Sequence, residues 1–195
     1  MRPWLFGTLL ALTAYVSTPE AAPQSAVLKL YRQIVARRPL GIPEGRDRAA
    51  INVFLSRTLI QRLETAQACQ DDYFRQHPDK DSKPSFPWLE LGLFSGANEE
   101  AVPSAAEIVS TRRLEDGSYH VSVRLTYKES YETYGRPPDP ANTFQWQVAA
   151  DVKSENGRFV VDDVLFFDET AKKVEWRLSG AFTGCDGPRW VGEKN

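Results

Sequence analysis

The spacing of apolar residues changes partway along this chain. Between 26 and 38, Val27, Leu30, Tyr31, Ile34 and Val35 fall at i, i+3, i+4, i+7 and i+8, which places them on one face of a helix. Arg37 and Arg38 suit the negative end of that helix, and Pro39 stops it. After a loop over 40–46 that holds Gly41, Pro43 and Gly45, Asp47 is placed to cap a short helix running to Leu55. Ser56 is placed to cap a longer helix to about Gln76, with Pro78 beyond it. Leu59, Leu63, Ala66, Gln70, Tyr73 and Phe74 share one face of it, and Cys69 sits on the flank, about 100° from the centre of that face.

Beyond residue 104 the period becomes two. A strand is expected over 107–114, then a hairpin turn at Asp116-Gly117, then a strand whose apolar face is Tyr119, Val121, Val123, Leu125 and Tyr127. Phe144, Trp146, Val148, Ala150 and Val152 alternate with polar neighbours in the same way. Asn156-Gly157 then launches 158–167, a run that is apolar at both parities. It reads as a strand covered on both faces, at the centre of a sheet. Pairing outward from the Asn156-Gly157 turn sets Glu155 opposite Arg158 and, counting on, Ala150 opposite Asp163 and Trp146 opposite Phe167. Cross-strand partners share a face. This register predicts a buried, hydrogen-bonded Asp163 on the Trp146 side, and Asp162 nearer solvent with Gln147 and Asp151. Simple alternation puts the two aspartates on opposite faces, so they do not form a catalytic dyad.

Between the helices and the strands lies an irregular stretch, 78–104, with Pro78, Pro84, Pro87 and Pro103 among Phe86, Trp88, Leu91, Leu93 and Phe94. So many aromatics in a long loop predict a segment laid over the fold. A wide loop follows at 131–142, a last strand is expected over 173–178, and the tail around Cys185 and Gly187 is turn-rich. Helices first and an antiparallel meander afterwards make an α+β fold, with helices packed on one face of a curved, mainly antiparallel sheet.

Composition narrows the function classes. The 195 residues suit one domain, and a formal net charge of −2 without a basic stripe gives no electrostatic case for nucleic acid. Arg2 followed by the apolar run 4–16 has the form of a signal peptide. It is too short for a comfortable membrane span, so a leader over 1–22 and a single domain over 23–195 are expected, in the periplasm or outside the cell. Export gives the two cysteines a meaning: Cys69 and Cys185 can bridge or stay free, and the bridge is the expectation in an oxidising compartment. Two isolated histidines and no CxxC spacing argue against a metal, and no motif asks for a cofactor. His120 lies on the outward parity of its strand, and His77 sits at a helix end where a charged ring suits the dipole.

The helix ending 63–74, the stretch 87–95 (Pro-Trp-Leu-Glu-Leu-Gly-Leu-Phe-Ser), the 123–127 strand, Trp146 and Val160-Val161-Asp162-Asp163-Val164 together resemble a family of exported bacterial domains of unknown function in the nuclear-transport-factor-2-like superfamily. The resemblance covers roughly residues 25–180 and implies a cone-shaped α+β fold. It departs at Leu91-Gly92, where Gly-Asp is expected before Leu-Phe-Ser. It also implies a pocket between sheet and helices, in which related isomerases and dehydratases use a carboxylate base and a hydrogen-bond donor to an oxyanion. Asp163 is the candidate carboxylate here, with Tyr31, Tyr127 and Trp146 as candidate neighbours. The first expectation for function is a non-catalytic binding or protein-interaction module whose partner is a protein or a small molecule. A small-molecule isomerase or lyase, or an envelope inhibitor of the immunity-protein kind, are the alternatives.

The leader generates a direct prediction. N-terminal sequencing of the protein from its native envelope should begin near residue 22, and an intact Met1 on a cytoplasmic species would overturn export.

Overall fold

The computed structural model describes residues 22–78, 86, 88–89, 91–98, 101–129, 135, 137, 139, 141–168 and 173–192. The expected leader and most of the 131–142 loop lie outside the described residues. Helix α1 spans Pro23–Arg37 and starts earlier than expected, with Pro23 in its first turn, where the missing N–H costs nothing. Val27, Leu30, Tyr31 and Ile34 are buried as the spacing predicts. Helix α2 is Gly45–Asn52, with Glu44 at its N-cap and no side-chain cap. Asp47 therefore does not cap it; the carboxylate lies inside the first turn and pairs with Arg37 at 2.8 Å. Helix α3, Arg57–Gln76, begins as expected at Ser56, whose hydroxyl accepts from the Leu59 N–H at 3.0 Å. Phe74 is exposed rather than on the packed face, and Cys69 is buried.

The strands β1 (Ala105–Arg113), β2 (Tyr119–Lys128), β3 (Thr143–Glu155), β4 (Arg158–Phe167) and β5 (Val174–Arg177) form one antiparallel sheet in the order β1-β2-β3-β4-β5. Asn156 and Gly157 both hold positive φ (53° and 75°), as a two-residue hairpin turn requires. The three helices cover one face of the sheet. Val121, Val123, Leu125, Val148, Ala150, Val152, Val161, Val164 and Phe166 meet them there in one core with Tyr31, Leu59 and Trp88. Strand β4 is buried on the other face too: Val160 is 1% and Leu165 2% exposed. This matches the double-parity apolar pattern of its sequence.

The described residues of the irregular stretch pack on the fold as expected, with Phe86, Trp88, Leu93 and Phe94 all buried. Two core side chains fix its backbone: Tyr31 Oη donates to the Phe94 carbonyl (2.9 Å) and Trp146 Nε1 to the Ser95 carbonyl (2.8 Å). The tail after β5 forms a 3₁₀ turn, Leu178–Gly180, and a small hairpin, β6 (Cys185–Asp186) with β7 (Arg189–Trp190). The Trp190 ring meets Tyr73 and Phe86 edge-on, and the Trp190 backbone N–H donates to Asp72 of α3 at 2.9 Å. Gly184 lies so close under the Trp190 ring that a Cβ there would sit 2.3 Å from it, at a φ of +77° that already favours glycine.

Cys69 and Cys185 form a disulfide, with Cα atoms 6.0 Å apart, inside the range such bridges need. The flank of α3 that carries Cys69 is buried because the tail lies on it. The bridge closes a sequence separation of 116, for which chain entropy predicts about 5 kcal/mol of stabilisation. Thiol labelling of the unreduced, denatured protein should find no free cysteine. Replacing both cysteines by serine should lower the melting temperature by several degrees, and an unchanged melting curve would show that the tail needs no staple.

Candidate functional site

The four residues singled out from the sequence do not share one pocket. Tyr31, Tyr127 and Trp146 lie on the helix side of the sheet, and Asp163 lies on the far side. Tyr31 is fully buried, and burial drives its phenol far above the ordinary tyrosine range, so the hydroxyl acts only as a neutral hydrogen-bond donor. Tyr127 is buried against Phe144, with ring centroids 5.0 Å apart, and Phe144 continues to Trp146 at 5.6 Å. On the helix side of the sheet, Tyr31, Leu30, Ile34, Trp88, Leu93 and Phe94 are fully buried side chains.

A β-bulge moves Asp163. Pairing runs from Glu155↔Arg158 to Val152↔Val161 as the hairpin predicts, and then the register slips by one residue, so that Asp151 faces Asp163 and Ala150 faces Val164. The expected Ala150–Asp163 pair is therefore incorrect. Asp162 is the extra residue of the bulge, and Asp163 shares the Asp151 face, opposite to the helices and to Trp146. Asp163 is buried and hydrogen-bonded, but for a different reason from the one its predicted register gave. Its Oδ1 accepts from the Val164 and Ser179 N–H groups, both at 2.9 Å, and its Oδ2 from the Ser179 hydroxyl at 2.6 Å. Arg177 adds a charge 3.6 Å away.

Asp162 is not idle either. It accepts from the hydroxyl of Ser56, the cap residue of α3, and lies 2.7 Å from Lys153 Nζ. Burial pulls the Lys153 ammonium down, but its hydrogen bonds to Asp162 and Glu155 outweigh this and hold it above the ordinary lysine value. The two adjacent aspartates thus tie different segments to β4: Asp162 holds the start of α3, and Asp163 the turn after β5.

On the far face a polar chain runs across three strands. His120 Nδ1 lies 2.9 Å from Asp151 Oδ1, and Arg177 donates to Asp151 Oδ2 at 3.0 Å. Burial raises the Asp151 carboxyl, but the hydrogen bonds and charges of His120 and Arg177 prevail and keep it below its usual value of 3.8. His120 faces outward as its parity predicts. Its partner was not visible in the sequence, because Asp151 belongs to another strand. Beside it opens a depression of about 470 Å³, lined by His120, Ser122, Gln145, Gln147, Phe167 and Asp168, with Trp146 at its border. A second, of about 390 Å³, lies on the other side of Trp146, between the Ser95–Asn98 turn and Phe144, Phe166 and Trp176. Among the described residues, no group of three or more His, Cys, Asp or Glu is arranged to hold a metal ion.

Compared with known protein families, curated proteins and solved structures, the chain finds no match.

The bulge generates two predictions. Asp163→Ala strips three donors of their acceptor and should cost roughly 2–4 kcal/mol in a denaturant titration. Asp162→Ala should cost about 1–2 kcal/mol by loosening the α3 start. Equal and negligible effects would contradict the observed bonding. Asp151, with its pKa lowered on folding, stabilises the fold above its unfolded value, and that contribution is lost as pH falls through the folded one. The gap in melting temperature between the wild type and Asp151→Asn should therefore narrow on going from about pH 6 to about pH 3. A gap independent of pH would refute the pairing.

Proposed function

We propose that this protein is an exported, non-catalytic binding or interaction module with a nuclear-transport-factor-2-like cone fold, working in the periplasm or outside the cell. The observation that carries this reading is the state of Asp163. A pocket base needs a carboxylate facing a cavity, whereas this one is occupied by Val164 and Ser179 on the side away from the helices. On the helix side, Tyr31, Trp88 and Phe94 are packed as buried side chains. The disulfide is compatible with an extracytoplasmic home. Among the described residues no helix is long and apolar enough to cross a membrane.

One open surface lies on the far face, where polar side chains of β2 and β3 surround the depression beside His120. A binding module recognises its ligand there without altering it. The test is capture by cross-linking from an envelope fraction, with wild-type protein and Gln147→Arg compared. Gln147 is exposed and lines the depression, so the variant should keep its melting temperature and lose the captured species. An isomerase or lyase activity that disappears in Asp163→Asn with no loss of stability would overturn the non-catalytic reading.

A further inference from the structure

The formal net charge of −2 hides an uneven distribution. Between 23 and 53 the chain carries six cations, Lys29, Arg32, Arg37, Arg38, Arg46 and Arg48, against two acids, Glu44 and Asp47. From 54 to the end, acids outnumber Lys and Arg by six. The excess of positive charge belongs to α1, α2 and the loop between them.

The fold turns these cations to one side. Helix α1 packs Val27, Leu30, Tyr31 and Ile34 toward the sheet, and the helical period then puts Lys29, Arg32 and Ala36 on its outward face. In α2 the buried Ile51 points inward, while Arg46, Ala49 and, just past its end, Val53 point out. The Arg37–Asp47 pair ties the end of α1 to the start of α2. The loop between them brings Arg38 and Leu40 to that same corner, where both line a depression together with Glu44 and Asp47. Asp47 is thus answered by Arg37, and Arg48 donates to the Pro43 carbonyl at 2.9 Å. Lys29, Arg32, Arg38 and Arg46 are exposed, and none of them pairs with a described residue. Leu40 and Val53 stand among them, 40% and 52% exposed.

We propose that this outer corner of the helix layer docks on an anionic lipid bilayer. Each guanidinium presents a planar fork that fits phosphate oxygens, and cations held near an anionic surface add their attractions. Charge by itself fits any polyanion. Leu40 and Val53 favour the lipid: the boundary between headgroups and acyl chains takes up apolar side chains, and a soluble polyanion gives them nothing to pack on. The surface lies on the helix side of the sheet, away from the depression beside His120, so the inference stands apart from the reading of that face.

The test is co-sedimentation of the mature, oxidised protein with vesicles of phosphatidylcholine, alone or mixed in equal parts with phosphatidylglycerol. Polyglutamate serves as the soluble polyanion. The protein should bind the mixed vesicles and not the neutral ones, and added salt should weaken binding. Arg32→Gln, Arg38→Asn and Arg46→Gln together should weaken it by about fivefold per cation, with an unchanged melting temperature. Asn is chosen because Arg38 holds a φ of 51°, which asparagine tolerates. Replacing Arg113, Arg158 and Arg189 by Gln removes the same charge from exposed positions on the sheet and tail, and should cost far less. Leu40→Ser with Val53→Ser should weaken vesicle binding and leave any binding of polyglutamate unchanged. No preference for the mixed vesicles, or equal losses from the two triple variants, would overturn the surface. Polyglutamate binding as tight as vesicle binding, with no effect of the Leu40 and Val53 changes, would overturn the lipid in favour of a soluble polyanion. Dimers in sedimentation that vanish in the Arg32, Arg38 and Arg46 variant, with no vesicle binding, would overturn it in favour of a second copy.

Discussion

Strand β4 gives one edge to β3, and its other edge carries backbone groups that have to be satisfied inside the fold. One continuous strand does not do this; three separate segments share the task. Near its start, Val161 exchanges two hydrogen bonds of 2.8 Å with the Phe54–Ser56 segment that leads into α3. In the middle, the Val164 N–H is taken by the Asp163 carboxylate, which also holds Ser179. At the end, Leu165, Phe166 and Phe167 pair with the short β5. The rest of the chain is arranged so that a helix start, a 3₁₀ turn and a short strand arrive at this one edge.

The two aspartates follow from that constraint. A buried carboxylate in a strand is costly unless donors converge on it, and here the donors come from the segments that need anchoring. The bulge at Asp162 makes the double use workable: one carboxylate points along the edge to Ser56 and Lys153, and the other to Ser179. From the 3₁₀ turn the tail crosses to α3, where Leu178 enters the core, Trp190 packs on Tyr73, and the disulfide fixes the end. Charges that suggest chemistry when read alone are thereby committed to architecture. The far-face depression is bordered by His120 and polar side chains of β2 and β3.

Much of the fold was legible because its signals are local. The apolar spacing of 26–38 and 56–76, the Ser56 cap, the Asn156-Gly157 turn and the alternation over 144–152 each depend on neighbours within a few residues. They led to the right element types, the hairpin start of the register and the buried nature of β4. The bridge between Cys69 and Cys185 was legible only as an expectation, since sequence spacing carries no distance between a helix flank and a tail.

What the sequence determined by itself was which segments are helix or strand, where most of them begin, and which faces are apolar. Only the tertiary structure decided which way Asp163 points. Because β4 is apolar at both parities, one inserted residue leaves the pattern looking the same, while the bulge turns the following side chains to the opposite face. Only the tertiary structure, too, brought Trp88 and Phe94 into the core, from a stretch that has no periodicity to announce where it packs. The same holds for the joining of His120, Asp151 and Arg177 from three strands. Periodicity specifies a side chain's face within its own element, and contact between elements depends on register and curvature, which no local signal encodes.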